Sequence, residues 1–371
     1  MKIPFNYLPL EFNKKYSNKI FSKWKKLIKS SEFTLGPFME SFEMELAKYV
    51  GIKYCLATNN GTDALILSLK AFGIKEGDEI ITPANSFYAT TGAIVAVGAI
   101  PIMCDVDDNY QICINDMESK ISKKTKALLP VHWGGASPDM YKIMSIARKY
   151  KLKVIEDSCM AIGGKIKGKS PGTFGDIGAY SMHPLKSLNV MGDGGAVVTN
   201  NRKIYLWMKK YRNHGMVSRD IIEMWGVNYR MQPLQAIVAE QGLKKLNSVI
   251  NLRKKNFDFL QKHLKDISGI ISIPEEKKGF RETHALYMIL CKKRDQLKNY
   301  LIKNSIEVKI HYPIPLHMQP AYLKKYKKIK LKNTEFQAKH LLTLPIHQFL
   351  NLNHMNFIVK KIKEFYDIEQ I

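Results

Sequence analysis

The chain has 371 residues, with 58 Lys and Arg against 33 Asp and Glu, a formal charge of +25. A hydrophobic content of 45% is enough to bury a sizeable core, which excludes wholesale disorder, and the length favours two domains over one. The cysteines (Cys55, Cys104, Cys113, Cys159, Cys291) are scattered and form no CxxC pair. That argues against a disulfide framework or a structural zinc site, and fits a reducing cytoplasm.

The opening stretch, MKIPFNYLPLEFNKKYSNKI, carries charge where a signal peptide would need an apolar run. The longest apolar stretch, Gly92 to Cys104, is too short to span a bilayer, so no membrane partner is expected. From about Gly51 to Asn200, short β-like runs alternate with helical patterns. Lys53–Thr58 reads as a strand, then Asn59–Asn60–Gly61–Thr62 leads into a helix with its apolar face at Leu65, Leu69 and Phe72, stopping at Gly73. Glu79–Thr82 is a second strand, ended by Pro83 and followed by a helix-like ATTGAIVAVGA. Further strands are predicted at Ile100–Val106, Ala127–His132, Lys153–Glu156, Ala179–His183 and Gly195–Thr199, with an amphipathic helix at Asp139–Lys149. This alternation predicts an α/β fold, a mostly parallel sheet with helices on both faces. In such sheets ligands gather beyond the carboxyl ends of the strands.

After Gln232 the pattern turns to longer helices, then to mixed segments that include the Pro-punctuated His311–Tyr322 and a closing helix-like MNFIVKKIKEFYDI. The division is placed so that 1–245 form a large domain and 246–371 a smaller C-terminal α+β domain. Lysine runs at Lys324–Lys332 and Lys360–Lys363 read as solvated faces, and no nucleic-acid-binding signature accompanies them.

Three features fall at strand ends. Asn60–Gly61–Thr62–Asp63 lies between a strand and a helix, where glycine allows close backbone approach and the helix start offers N–H groups to a phosphate. Alone it could equally be an ordinary capped turn. Val154–Ile155–Glu156–Asp157 delivers a carboxylate that could cap a helix, bind a metal or hold a cationic ring nitrogen. In the third, Lys186 follows a strand in a loop with Gly192, Gly194 and Gly195, where a partly desolvated amine could form a Schiff base. A phosphate cradle, a carboxylate and a Schiff-base lysine are what a pyridoxal phosphate site requires. The histidines His132, His183, His214, His311 and His317 show no metal-ligand spacing.

Taken in order, NNGTDAL (59–65), GDEIITPANSFYAT (77–90), PVHWGG (130–135), VIEDSCMAIGG (154–164), FGDIGAYSMHPLKSLNVMGDGG (174–195), RNHG (212–215), GVNYRMQPLQA (226–236) and YPIPLHMQP (312–320) make the chain resemble the DegT/DnrJ/StrS family. Its members are pyridoxal-phosphate-dependent nucleotide-sugar aminotransferases. The resemblance runs from about Leu35 to Pro345 and implies an aspartate-aminotransferase-like fold. It implies Lys186 as the Schiff-base and proton-shuttling residue and Asp157 as partner of the pyridine nitrogen. Gly61, Thr62 and Ser181 would bind the cofactor phosphate, and Phe87 would stack on the ring. Asn228 would reach the phosphate from the neighbouring subunit of a homodimer with shared active sites, and Arg230 would support the same anionic region or the dimer contact. His317, Tyr312 and Arg230 are the substrate candidates. Met160 departs from the Gln or His common in relatives and cannot match their hydrogen bonds.

The implied reaction moves an amino group from L-glutamate or glutamine to a keto group of a nucleotide-linked deoxysugar, in amino-sugar biosynthesis for surface polysaccharide or glycoconjugate. A sugar dehydratase or lyase on the same fold is the alternative, disfavoured because relatives of that kind replace this lysine with His. A non-enzymatic basic binding protein is the remote one. The nucleotide, the sugar, the carbon aminated and the final glycan are not specified by these residues.

Overall fold

Short apolar runs punctuated by Gly, Asn and Pro become the strands of the computed structural model, which describes residues 1–370. In chain order they are β1 (Tyr54–Thr58), β2 (Glu79–Pro83), β3 (Ile100–Cys104), β4 (Thr125–Leu128), β5 (Lys153–Asp157), a two-residue β6 (Lys165–Ile166), β7 (Ile177–Ser181) and β8 (Gly195–Thr199). All but β6 form one sheet in the order β1–β8–β7–β5–β4–β2–β3. β8 pairs antiparallel with β1 and β7, and the remaining pairs are parallel. The carboxyl ends of the other strands therefore share one edge. β8 meets that edge with its amino end, Gly195 lying opposite both Thr58 and Ser181.

Alternate strand residues point to opposite faces, and the core divides accordingly. Leu56, Ile80, Ile155, Ala179 and Val197 pack on one face with the helices Gly61–Ala71 and Tyr88–Ala96. Their neighbours Ala57, Tyr180 and Val198 pack on the other with Pro37–Val50 and Pro233–Leu243, while Ile81, Leu128 and Val154 pack with Met140–Tyr150. The result is the expected α/β layering.

Three predicted strands end early: Ile100–Val106 at Cys104, Ala179–His183 at Ser181, and Ala127–His132 at Leu128, because Pro130 has no N–H to give the ladder. Val131 rejoins it through an isolated bridge to Asp157. The long helical run after Gln232 is two helices, Pro233–Leu243 and Leu246–Leu264.

Beyond it lie β9 (Ile270–Ser272), β10 (Phe280–Arg281), β11 (Tyr287–Cys291) and β12 (Leu341–Leu344). β12–β11–β9 form an antiparallel sheet, and β10 pairs with β6. Leu260, Leu297, Leu301, Ile358 and Ile362 cover this sheet from the helices Leu246–Leu264, Arg294–Lys303 and Leu352–Ile368. The chain's first residues join this part rather than the large sheet. Ile3 bridges Ile306 and lies in the same core, and the Phe5 N–H donates to Glu307 Oε2 at 2.9 Å. Among the described residues, no helix is long and apolar enough to cross a membrane.

Candidate active site

The shared strand edge opens into a cavity of about 460 Å³ lined by Gly61, Thr62, Phe87, Asp157, Ser181 and Lys186, among others. Asn60 starts the helix Gly61–Ala71: its side-chain oxygen accepts the Asp63 N–H at 2.7 Å. Among the described residues the N–H groups of Gly61 and Thr62 have no acceptor, as at any helix start. A Cβ on Gly61 would lie 2.8 Å from Ser181 Cβ and 3.0 Å from Cys159 Sγ, so glycine is needed here for close approach. Ser181 ends β7 against that helix start, giving two N–H groups, a hydroxyl and a positive helix end in one place.

Asp157 ends β5 and is buried. Thr90 Oγ1 donates to its Oδ2 at 2.7 Å, and the Cys159 N–H donates to Oδ1 at 3.2 Å. Thr90 is in turn linked to Ser86 Oγ at 2.7 Å. The carboxylate is thus held in place by two donors.

Lys186 follows in a turn closed by its own N–H to the His183 carbonyl at 2.8 Å, and its carbonyl accepts from Tyr7 Oη at 3.1 Å. Burial of its ammonium lowers its pKa from the ordinary lysine value; Cys159 and Asp157 oppose the shift. His311, also in the cavity wall, is pushed down to about 4 by burial first and then by Lys186 and Lys309.

Phe87 precedes the helix Tyr88–Ala96, and its ring centroid lies 3.9 Å from that of Tyr88 and 6.3 Å from that of Tyr312. Tyr312 also contacts Trp133 at 5.8 Å, completing an aromatic wall. Burial pushes the Tyr312 phenol up to about 12. Met160 lines the cavity and packs against the core of the large sheet, offering no polar group from its side chain.

Three sequence candidates, His317, Asn228 and Arg230, are not brought to this cavity. His317 is buried beside it in sequence only: its Nε2 lies 3.3 Å from Glu335 Oε1, and it is absent from the lining. Asn228 and Arg230 sit on an excursion where Asn228 bridges Asn213 and Arg230 Nη1 donates to Asn213 Oδ1 at 2.6 Å. His132 is taken up by Glu156 and Ser137, at 2.9 and 2.8 Å.

Sequence reasoning missed Tyr7, Thr90, Arg253 and His347, all of which line the cavity. Tyr7 and His347 come from the two extremes of the chain and carry no local signal. Thr90 had one, its helical spacing from Ser86. Arg253 had another: it interrupts the buried stripe Val249–Ile250–Phe257–Leu260–Leu264 of its helix.

These groups fit pyridoxal phosphate. Gly61, Thr62 and Ser181 would hold its phosphate, Asp157 its ring nitrogen, and Lys186 its aldehyde carbon. Residues 14–363 match the DegT/DnrJ/EryC1/StrS aminotransferase family. The chain is 34% identical over 364 residues to the dTDP-3-amino-3,6-dideoxy-alpha-D-galactopyranose transaminase of Aneurinibacillus thermoaerophilus, covering 98% of this chain and 99% of that one. It is 35% identical over 322 residues to the UDP-N-acetyl-3-dehydro-alpha-D-glucosamine 3-aminotransferase of Acidithiobacillus ferrooxidans, covering 86% of each. The crystal structure of NtdA from Bacillus subtilis with bound cofactor PMP matches with a TM-score of 0.91 at 30% identity, over 99% of this chain and 85% of that one. A lysine, a carboxylate and an open helix start on one sheet edge, in a chain matched over nearly its whole length, lead to one conclusion: it belongs to the DegT/DnrJ/EryC1/StrS aminotransferase family and is a pyridoxal-phosphate-dependent transaminase.

Proposed function

We propose that the chain transfers an amino group from L-glutamate, or glutamine, to a keto group of a nucleotide-linked sugar, and that it does so as a homodimer. The observation that carries this reading is the Lys186 amine in one cavity with Asp157 and the start of the helix Gly61–Ala71. When bound, the cofactor supplies an electron sink for the carbon whose proton is moved. Lys186 Nζ is the group placed to take that proton and return it, because a lowered pKa leaves more of the amine uncharged near neutrality. Asp157, held by Thr90 and the Cys159 N–H, is the fixed acceptor for the ring nitrogen. Phe87, Tyr88, Trp133 and Tyr312 form the wall that limits water, and Tyr312 is the phenol available to the sugar.

The UDP- and dTDP-linked hexoses in the relatives' names support a nucleotide-sugar acceptor. The dimer reading is supported by the exposed position of Asn228 outside the chain's own cavity, on an excursion that also exposes Val217, Ile221, Ile222 and Trp225. A second copy would cover those side chains and receive Asn228 at its cofactor phosphate.

The test is an absorbance scan of the protein with pyridoxal phosphate, before and after L-glutamate, beside a Lys186→Ala variant. The wild type is expected to show a visible band that gives way to near-ultraviolet absorbance as 2-oxoglutarate appears. The variant is expected to show neither the band nor the conversion. Conversion by the variant at the wild-type rate would remove Lys186 from this role.

A further inference from the structure

Among the described residues, Arg253 is a buried guanidinium without a counter-charge. It is 2% exposed, yet it lines the cavity that holds Lys186. Its Nε donates to Gln348 Oε1 at 3.1 Å, Nη1 to Ser187 Oγ at 3.1 Å and Nη2 to Tyr7 Oη at 2.9 Å. Every one of these acceptors is neutral, and among the described residues no carboxylate lies within 4.0 Å of it. Arg212, equally buried, shows the usual arrangement: Glu43 Oε1 stands 2.6 Å from its Nη1. The carboxylate nearest to Arg253 through hydrogen bonds is Glu11, reached only by way of Gln348 Nε2, and Glu11 already has Lys245 at 3.5 Å. Burying a guanidinium away from water is unfavourable unless an anion meets it. A guanidinium carries five N–H donors, and the contacts above leave one on each terminal nitrogen.

The location identifies the anion. Ser187 follows Lys186 in the chain, and Tyr7 Oη contacts both Arg253 and the Lys186 carbonyl. Of the cavity's lining, only Lys186 and Arg253 are lysine or arginine. In an α-amino acid the carboxylate is one bond from the carbon that bears the amine. In a nucleotide sugar the diphosphate is separated from a ring keto carbon by further atoms of the sugar. A cation seated beside the reacting lysine therefore suits the first substrate rather than the second.

We propose that Arg253 is the anchor for the carboxylate of the amino donor, with Tyr7, Ser187 and Gln348 holding its guanidinium flat toward the cavity. The assignment rests on the amino-acid donor proposed above. It adds a residue that both half-reactions would use differently: occupied by carboxylate when the donor is bound, and without an anion when the keto sugar takes its place. Arginine suits the task because its planar fork binds a carboxylate through two parallel hydrogen bonds, which a lysine cannot reproduce.

The experiment uses the cofactor-loaded protein and titrates glutarate, a dicarboxylate with no amine to transfer, and separately UDP and dTDP, by calorimetry. Arg253→Gln is expected to weaken glutarate binding about 30-fold while cofactor retention and nucleotide binding stay within about twofold. Arg253→Lys, which keeps the charge in case the glutamine variant does not fold, is expected to lose about 10-fold. Wild-type protein that does not bind glutarate, variants that bind it as tightly as wild type, or a loss confined to the nucleotides would each overturn the assignment. Its failure is separable from that of the donor reading. Wild type that fails to convert with L-glutamate or glutamine counts against the donor, whereas wild type that converts while the variants bind glutarate normally counts against Arg253 alone.

Discussion

Glu282 is buried, with its own N–H donating to Glu276 Oε1 at 3.3 Å. Burial, then the Glu276 charge, pushes its carboxyl up to about 8, against the opposing pull of Lys277 and Lys254. Two residues on, His284 is pushed down to about 3 by burial and then by Lys254, Arg253 and Arg281. The two act in opposite directions. A raised carboxyl contributes stability that is full below its unfolded pKa of 4.5 and is lost as pH rises through about 8. A depressed imidazole contributes stability present above 6.5 and lost as pH falls toward 3. Glu282→Gln keeps the neutral shape at all pH values. Its melting temperature is expected to match wild type near about pH 5 and to exceed it near about pH 8.5, by on the order of 2 kcal/mol of stability. An increment independent of pH would show that Glu282 is charged when folded. Glu282 was not legible as buried, because charged side chains are outside far more often than not, and Arg253 left only its place in the buried stripe of its helix as a sign. What encloses them comes from segments distant in sequence.

At the scale of elements, the site depends on how closely a helix start can approach a strand end. Gly61 lies where a Cβ would touch Ser181 and Cys159, whereas Gly92, on the helix Tyr88–Ala96, has nothing within 4 Å of its Cβ position. Gly61→Ala is expected to weaken pyridoxal phosphate binding by about 10-fold or more through the displaced helix start. Gly92→Ala is expected to leave cofactor binding unchanged and to stabilise by about 0.5–1 kcal/mol through helix propensity. Equal cofactor affinity in both variants, measured by absorbance titration, would disprove the close-approach account. The strand–helix alternation was legible because Asn59–Gly61, Pro83 and Gly73 stop each run sharply. That β8 runs against its neighbours was not. Direction is set by the hairpin-like return from Ser181 to Gly195, whose intervening residues have no periodicity to read. For the same reason Lys186 could be placed after a strand but not assigned its support by Tyr7.

At the scale of the molecule, the proposed dimer contact is the excursion between Asn213 and Asn228, where Trp225 is 87% and Ile221 60% exposed. If a second copy covers them, Ile222→Asp combined with Trp225→Ser should halve the mass seen by light scattering. Cofactor retention should fall with it, since the partner's Asn228 would be withdrawn as well. An unchanged mass would place the dimer contact elsewhere. The order in which the chain folds follows from another feature, the packing of its opening residues. Ile3 meets Ile306, Phe5 meets Glu307, the Pro4 carbonyl meets His347 and Tyr7 meets Arg253. On a ribosome, residues 54–199 can pair as a sheet while the first seven residues still wait for partners not yet synthesised. Closing so long a loop is among the last entropic costs to be met. Newborn chains would thus carry the strand edge and Lys186 before they carry an enclosed pocket, and capture of the cofactor becomes a late event that waits on residues as far along as His347.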